Sequence, residues 1–326
     1  MVTMLLSTNR AVEVLRAAGE STRMRILALL AREELAVLEI CRVLDQSQPR
    51  ISRHLKLLAE AGLVERFPDG AWVFYRLAIG GQAGDLIGSI LSRIDPRDPT
   101  ILRDVERLTA VWSERTAEAG EYFARNAARW DEIRSLYVAE SDVEAAILEA
   151  AGPGPYKRLV DLGSGTGRML KLLGPHAEHA LGLDLSQQML NIARNEVAEA
   201  GLKQVELRHG DIFGTGLPGQ SADVVVVHQV LHYLSDPAAA VREAGRIVRE
   251  GGRLVIVDFA PHRLEFLREQ HQHRRLGFAE PEMARWLAEA GLSRVQLKDL
   301  PSNRADGLTV RIWTAERGRE GRRSAA

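Results

Sequence analysis

Cysteine is almost absent from this sequence. One thiol, Cys41, among 326 residues excludes an internal disulfide framework and any zinc site built from several thiolates of one chain. No apolar run approaches the ~20 residues needed to cross a bilayer. The opening MVTMLLSTNR also lacks the charged start and long apolar core of a signal peptide. A soluble, cytoplasmic protein is therefore expected. An excess of one charge is missing too, since 43 Lys and Arg offset 44 Asp and Glu for a net charge of −1. That excludes a globally basic coat, and any contact with nucleic acid must come from a local patch. No internal repeat of roughly 20–50 residues is visible. What the chain does have is 45% apolar and 27% charged residues, enough for ordinary cores and no composition for disorder.

The pattern divides into three parts and a tail. Residues 1–80 carry short helical patterns over Arg10–Ala18, Thr22–Ala31 and Val37–Leu44. Ser47 then offers an N-cap, with Pro49 in the first turn and Ile51, Leu55 and Leu58 on one apolar stripe, and Gly62 ends the helix. Leu63–Phe67 and Trp72–Leu77 read as a hairpin around Pro68-Asp69-Gly70. Residues 81–138 read as a helical connector and dimerisation region. It holds a short helix near Asp85–Arg93 and a long one from Ile101 to at least Ala128, with Leu102, Val105, Leu108, Val111 and Trp112 on one side. Residues 139–316 alternate strands and helices. The strand candidates are Arg158–Leu162, Ala180–Leu183, Gln204–Arg208, Ala222–Val227, Arg253–Asp258, Arg294–Leu300 and Leu308–Thr314, the last two forming an antiparallel pair. The basic tail, residues 317–326, reads as a solvated end or a phosphate-contacting arm.

A helix capped at Ser47 would expose Gln48, Arg50, Ser52 and Arg53 opposite its apolar stripe, and no acid interrupts residues 47–56. Arg and Gln are the side chains that pair bidentately with guanine and adenine edges in the major groove. Arg53, His54 and Lys56 equally suit phosphates, and Arg66 and Arg76 flank the hairpin tip. His54 is equally consistent with packing. A domain used only for protein contacts is the competing reading. The run SQPRISRHLKLLAEAGLVERFPDGAWVFYRL, with STRMRILALL before it, resembles the winged helix-turn-helix (α+β) of the ArsR/SmtB regulators, over Ala11 to Leu77. That resemblance implies a dimeric transcriptional repressor on a palindromic double-stranded operator. Where metalloid-sensing members carry a Cys-x-Cys pair, this chain has Ala36 and Leu38, so the inducer must be sought elsewhere.

In LVDLGSGTGRML, a glycine turn follows a strand and opens a helix, so Gly163, Gly165 and Gly167 let the backbone approach a ligand beside free helix N–H groups. About twenty residues on, GLDLSQQML places Asp184 at a strand end, where an acid can accept both ribose hydroxyls. HGDIF places Asp211 and Ile212 where they can meet an adenine. Together these resemble the class I seven-stranded S-adenosylmethionine-dependent methyltransferases, a Rossmann-like α/β fold, and GxGxG favours that family over nicotinamide enzymes. The resemblance implies that Asp161 and Gly163 line the methionine and ribose part of the cofactor and that Met189 covers the adenine. It implies further that Asp211 and Ile212 recognise the adenine and that His228 stands beside the sulfonium.

Candidate bases for methyl transfer are His228, His232 and His262, with Asp258 able to orient one of them and Tyr233 a further orienting group. His271 and His273, two residues apart, read as surface histidines of a helix at the pocket rim, and no metal site is expected. HQVLHY stands where DNA amino-methyltransferases carry their Pro-Pro motif, and this domain has no cysteine, so a small-molecule acceptor is expected. Two functions follow. Either the chain is a regulator with S-adenosylmethionine or S-adenosylhomocysteine as effector, or it is an active small-molecule methyltransferase that also controls its own operon. The helix at 101–128 is the expected coupling element, and Trp130–Tyr137 the expected lid.

Overall fold

Ser7 opens the first helix, its hydroxyl accepting from the Arg10 amide at 3.3 Å, and Gly19 closes it. The structure is a computed structural model and describes residues 6–69, 72–78, 81–126, 140–302 and 308–318. It divides into two compact units, Met1–Ala117 and Glu118–Ala326.

In the first unit, α1 (Thr8–Ala18), α2 (Ser21–Leu30), β1 (Leu35–Ala36), α3 (Val37–Leu44) and α4 (Gln48–Glu60) lead into β2 (Val64–Asp69) and β3 (Trp72–Leu77). The expected helices and hairpin strands are present, but Pro68 and Asp69, expected in the turn, continue β2 and pair with Val73 and Trp72. The order β1-β3-β2 shows one element the periodicity gives no sign of, a two-residue strand that pairs with Tyr75 and Phe74 of β3. Asp45, in the left-handed region at φ 54°, ends α3 and turns the chain into α4. Ser47 takes the N-cap position, but only its carbonyl is used, accepting from the Arg50 and Ile51 amides at 3.1 Å. Ile51, Leu55 and Leu58 are wholly buried, as their spacing requires.

α5 (Gly81–Leu91) and α6 (Pro99–Asn126) follow, in the stretch read from sequence as a connector. Ile87, Leu108 and Val111 belong to the first core, so α5 and the first part of α6 pack within that unit. The buried face of α6 differs from the expected stripe. Leu102 is 46% exposed, while Asp104 is 2% exposed and sits at helical spacing with Leu108 and Val111. An acid takes the inward position because Arg25 of α2 grips both of its oxygens, at 2.6 and 2.7 Å. The hairpin tip at 70–71, the lid expected at Trp130–Tyr137 and the tail from 319 onwards lie outside the described residues.

In the second unit, α7 (Glu140–Ala151) precedes β4 (Tyr156–Leu162), α8 (Arg168–Leu173), β5 (Ala177–Asp184), α9 (Gln187–Glu199) and β6 (Val205–His209). Then come β7 (Ala222–His228), α10 (Pro237–Ile247), β8 (Val248–Phe259), α11 (Phe266–His271), α12 (Glu280–Glu289), β9 (Leu292–Leu300) and β10 (Val310–Arg317). The sheet order is β6-β5-β4-β7-β8-β10-β9, with β10 antiparallel to both neighbours, as expected for the last strand pair. Successive residues of the central strands feed opposite faces. Val225, Val227, Leu254 and Ile256 pack with Val241 of α10 and Trp286 of α12, while Val224, Val226, Val255 and Val257 pack with Ile147 of α7 and Leu170 of α8. The chain runs from β4 to β5 on one side and meets β7 on the other. This reversal of order opens a crevice at the strands' C-terminal ends.

Because Asp104 neutralises a guanidinium inside the first core, Asp104→Ala is expected to destabilise that unit by about 3 kcal/mol. Urea unfolding followed by far-UV circular dichroism checks this, and Arg25→Met/Asp104→Leu, which removes both charges, should recover most of the loss.

Candidate functional site

The glycine turn after β4 is held by the end of β5. The Leu183 carbonyl accepts from Gly163 at 2.8 Å and from Ser164 at 2.9 Å. Asp184 then uses one oxygen for the Gly165 amide and the other for the Ser186 amide, both at 2.8 Å. Gly163 adopts φ 77°, and a Cβ there would lie 2.4 Å from Val230 Cγ2, so both conformation and packing require glycine. Gly167, at φ 86°, caps α8 against Ala193. Burial pushes the Asp184 carboxyl up from its ordinary value, against the opposing pull of the Ser186 and Gly165 amides.

A small cleft results, lined by Asp161, Gly163, Ser164, Gly165, Thr166, Arg168, Met169, His228 and Gln229. Of the residues singled out from sequence, it brings together Asp161, Gly163, Gly165 and His228. Asp184 joins through its bond to Gly165. Met189 is buried in the first turn of α9, where its amide donates to the Ser186 hydroxyl at 3.3 Å. Asp211 is exposed and accepts the Phe213 amide at 3.0 Å, while Ile212 belongs to a core beside Leu183. These three are not among the cleft's lining residues. The sequence reading missed Arg168, which pairs with Glu144 and Glu140 of α7, and Gln229, which is held at φ 53°. Its place inside HQVLHY is the signal that pointed to Gln229.

The three candidate bases separate. His228 ends β7 at the cleft. His232 is 1% exposed, and its Nδ1 lies 2.8 Å from Oδ1 of the fully buried Asp258. His262 is half-buried, and desolvation, followed by nearby His232, lowers its pKa to about 4. The expected pair of helix-surface histidines is corrected. α11 ends at His271, whose Nδ1 meets the Tyr122 hydroxyl at 2.8 Å, and Gln272 turns the chain in the left-handed region. His273 is thereby carried inward to 7% exposure and stacks on His232, with centroids 4.1 Å apart.

In the first unit, Gln48, Arg50, Ser52, Arg53, Lys56 and Arg66 are exposed. Two other expected contact residues are engaged within the unit. His54 turns toward Glu20, with Nδ1 3.6 Å from its carboxylate, and Arg76 is held between Glu65 at 2.6 Å and Glu34 at 3.3 Å.

Residues 20–66 match the family model described as bacterial regulatory protein, arsR family, and residues 160–256 match the model described as methyltransferase domain. The arsenical resistance operon repressor of Escherichia coli is 46% identical over 68 residues, covering 21% of this chain and 58% of that protein. An uncharacterized methyltransferase of Bacillus subtilis, YcgJ, is 26% identical over 140 residues, 43% of this chain and 54% of that protein. The YcgJ crystal structure superposes with a TM-score of 0.48 at 19% identity, covering 55% of this chain and 100% of that one. The chain spans about half the length of these curated relatives. No helix among the described residues is long and apolar enough to cross a membrane.

The low pKa of His262 sets a sign for acid stability. Its folded value, about 4, lies below the ordinary 6.5, so the unfolded chain takes up the proton first as pH falls. The stability tied to the neutral ring is whole above pH 6.5 and is lost as pH drops toward about 4. Urea midpoints measured across that window should fall less in His262→Gln than in the parent chain.

Proposed function

We propose that this fusion of an arsR-type regulator segment with a methyltransferase domain is a cytoplasmic DNA-binding regulator, acting as a repressor, whose effector is S-adenosylmethionine or S-adenosylhomocysteine. One observation carries the reading. The regulator segment has Ala36 and Leu38 where a thiol pair would sense metalloids, whereas the other domain keeps a glycine-turn cleft at the ends of its strands. The ligand chemistry of the chain has moved from one domain to the other.

The cleft residues fit such a ligand. The backbone around Gly163 and Gly165 is open to close approach, Asp161 and His228 stand on adjacent strands, and both Asp184 oxygens retain a lone pair beyond the amides they accept. Asp184 would hold the ribose hydroxyls, Asp161 and Gly163 the methionine and ribose portion, and Met189, Asp211 and Ile212 the adenine. Bound there, S-adenosylmethionine supplies an electrophilic methyl group.

On the DNA side, Gln48, Arg50, Ser52 and Arg53 form the exposed reading face of α4, with Lys56 and Arg66 toward the phosphates. A homodimer would present two such helices to a palindromic operator with half-sites about 34 Å apart. Ligand switches DNA affinity only through its differential affinity for two states of the chain, and α6, continuous from Pro99 to Asn126, is the coupling element. A second reading, an active small-molecule methyltransferase, is favoured by the buried His232–Asp258 pair.

Fluorescence anisotropy on the gene's own upstream DNA, at one fixed salt, tests the regulator reading. It is run without ligand, with S-adenosylmethionine and with S-adenosylhomocysteine. The expected outcome is a roughly tenfold difference between two of these conditions, about 1.4 kcal/mol of coupling. Specific binding indifferent to both nucleosides would overturn the effector role. Arg50→Ala should cost roughly 1–3 kcal/mol of operator binding. Asp184→Ala should cost roughly 1.5–3 kcal/mol of nucleoside binding by calorimetry.

A further inference from the structure

Three imidazoles, those of His232, His262 and His273, gather at the ends of β7 and β8, and nucleoside binding as described uses none of them. His232 lies in the one-turn helix Leu231–Tyr233, four residues beyond the cleft residue His228. Asp258, which faces its Nδ1, also accepts the Phe259 amide at 2.8 Å and the His232 amide at 3.4 Å. A buried carboxylate held by backbone donors acts as an acceptor, so the neutral imidazole keeps its proton on Nδ1 and its lone pair on Nε2. The ring is clamped in that orientation. His273 stacks on it, Tyr233 meets it with centroids 4.0 Å apart, and the His232 carbonyl accepts from the Arg274 and Arg275 amides. An acid that orients a histidine this way prepares it to accept a proton.

The neighbouring rings add a second, independent sign. His273 Nδ1 and His262 Nε2 are both buried with no hydrogen-bond partner, although His273 is more than nine-tenths enclosed. Protein interiors nearly always match such atoms, so these two fit a bound partner with a polar edge. Desolvation holds His273, like His262, well below the ordinary histidine range, which leaves both rings uncharged. Aromatic rings also border the cluster. Phe259 lies against the His273 ring, and Phe123 meets Tyr233 edge-on at 4.9 Å.

We propose that His232 is the general base of an acceptor subsite for a planar compound bearing an acidic hydroxyl, a phenol or an enol, with Asp258 as its positioning residue. The hydroxyl O–H bond breaks with its electron pair left on oxygen. The proton passes to His232 Nε2 and Asp258 balances the resulting imidazolium. The oxygen pair would then bond to the methyl carbon of a bound sulfonium donor as its carbon–sulfur bond breaks, that bond's pair staying on sulfur in the neutral thioether S-adenosylhomocysteine. A phenol or an enol lies closer in acidity to an imidazole than an aliphatic hydroxyl does, so it is the hydroxyl that such a base ionises most readily. Aromatic walls suit a flat ring, and Arg268, whose side chain is enclosed and whose charge acts on both His262 and His273, suits an oxygen that becomes anionic. The methyl-transfer role rests on the neighbouring cleft binding the nucleoside. The proton transfer does not.

The test uses the full chain and 4-nitrophenol as probe, because its phenolate absorbs separately from the phenol. The chain is titrated below the probe's own pKa, with and without S-adenosylhomocysteine, whose binding is measured independently by calorimetry. The bound probe should show the phenolate band in the parent chain and lose it in His232→Gln. Asp258→Asn, which preserves shape and removes the charge, should reduce the bound phenolate by roughly tenfold or more. Long-range proton–nitrogen spectra of histidine-labelled protein should place the His232 proton on Nδ1 in the parent and not in Asp258→Asn. A parent chain without the band, or a band equal in either variant, overturns the base. If calorimetry shows no nucleoside binding, the cofactor reading falls, and the phenolate band still decides the role of His232.

Discussion

Everything at the cofactor cleft depends on how the end of β5 receives the turn that leaves β4. Two amides share the Leu183 carbonyl, and the next residue, Asp184, spends one lone pair of each oxygen on Gly165 and Ser186. A turn with three left-handed glycines would otherwise have many conformations to choose from, since glycine loses more freedom on folding than any other residue. The carboxylate selects one of them. Asp184 therefore builds the cradle and presents its remaining lone pairs to whatever enters. This ties ligand affinity to the rigidity of the turn, and burial raises the cost of keeping the acid charged without a partner.

Local features were legible in the sequence, and long-range ones were not. The strands of the second unit announced themselves because a sheet covered on both faces needs continuous apolar runs such as Val224–Val227. The glycine turn and the helix after Ser47 were equally readable, being written in consecutive residues. Periodicity failed where a distant partner reversed a preference. On α6 it chose Leu102 for the interior, whereas the structure buries Asp104 because Arg25, far away in sequence, neutralises it. His54 and Arg76 were matched to DNA by type, yet Glu20, Glu34 and Glu65 already occupy them. His273 could not be placed because its burial turns on the left-handed Gln272, a single-residue event with no periodic trace.

The same contrast explains why the cofactor side of the chain reads more clearly than the acceptor side. A nucleoside is gripped by backbone groups and by acids at strand ends, features that the fold repeats at fixed spacing. An acceptor is gripped by whatever side chains the later loops bring together, here Tyr233, Phe259 and His273 from three separate segments. Only Asp258 belonged to a readable position, a strand end, and its partner was one of three histidines equally well placed on paper.

Regulation and turnover place opposite demands on one cleft. A sensor needs the effector to persist for as long as the chain stays in one DNA-binding state, and an enzyme consumes it. The two are compatible if methyl transfer is slow beside ligand exchange, because occupancy then follows the cellular ratio of S-adenosylmethionine to its product. His232 and Asp258 are both almost fully enclosed, so an acceptor at Nε2 is held away from water. Enclosure also strengthens the dyad electrostatically once the acceptor is in place. The physical question that separates regulator from catalyst is therefore the rate of methyl transfer relative to nucleoside release.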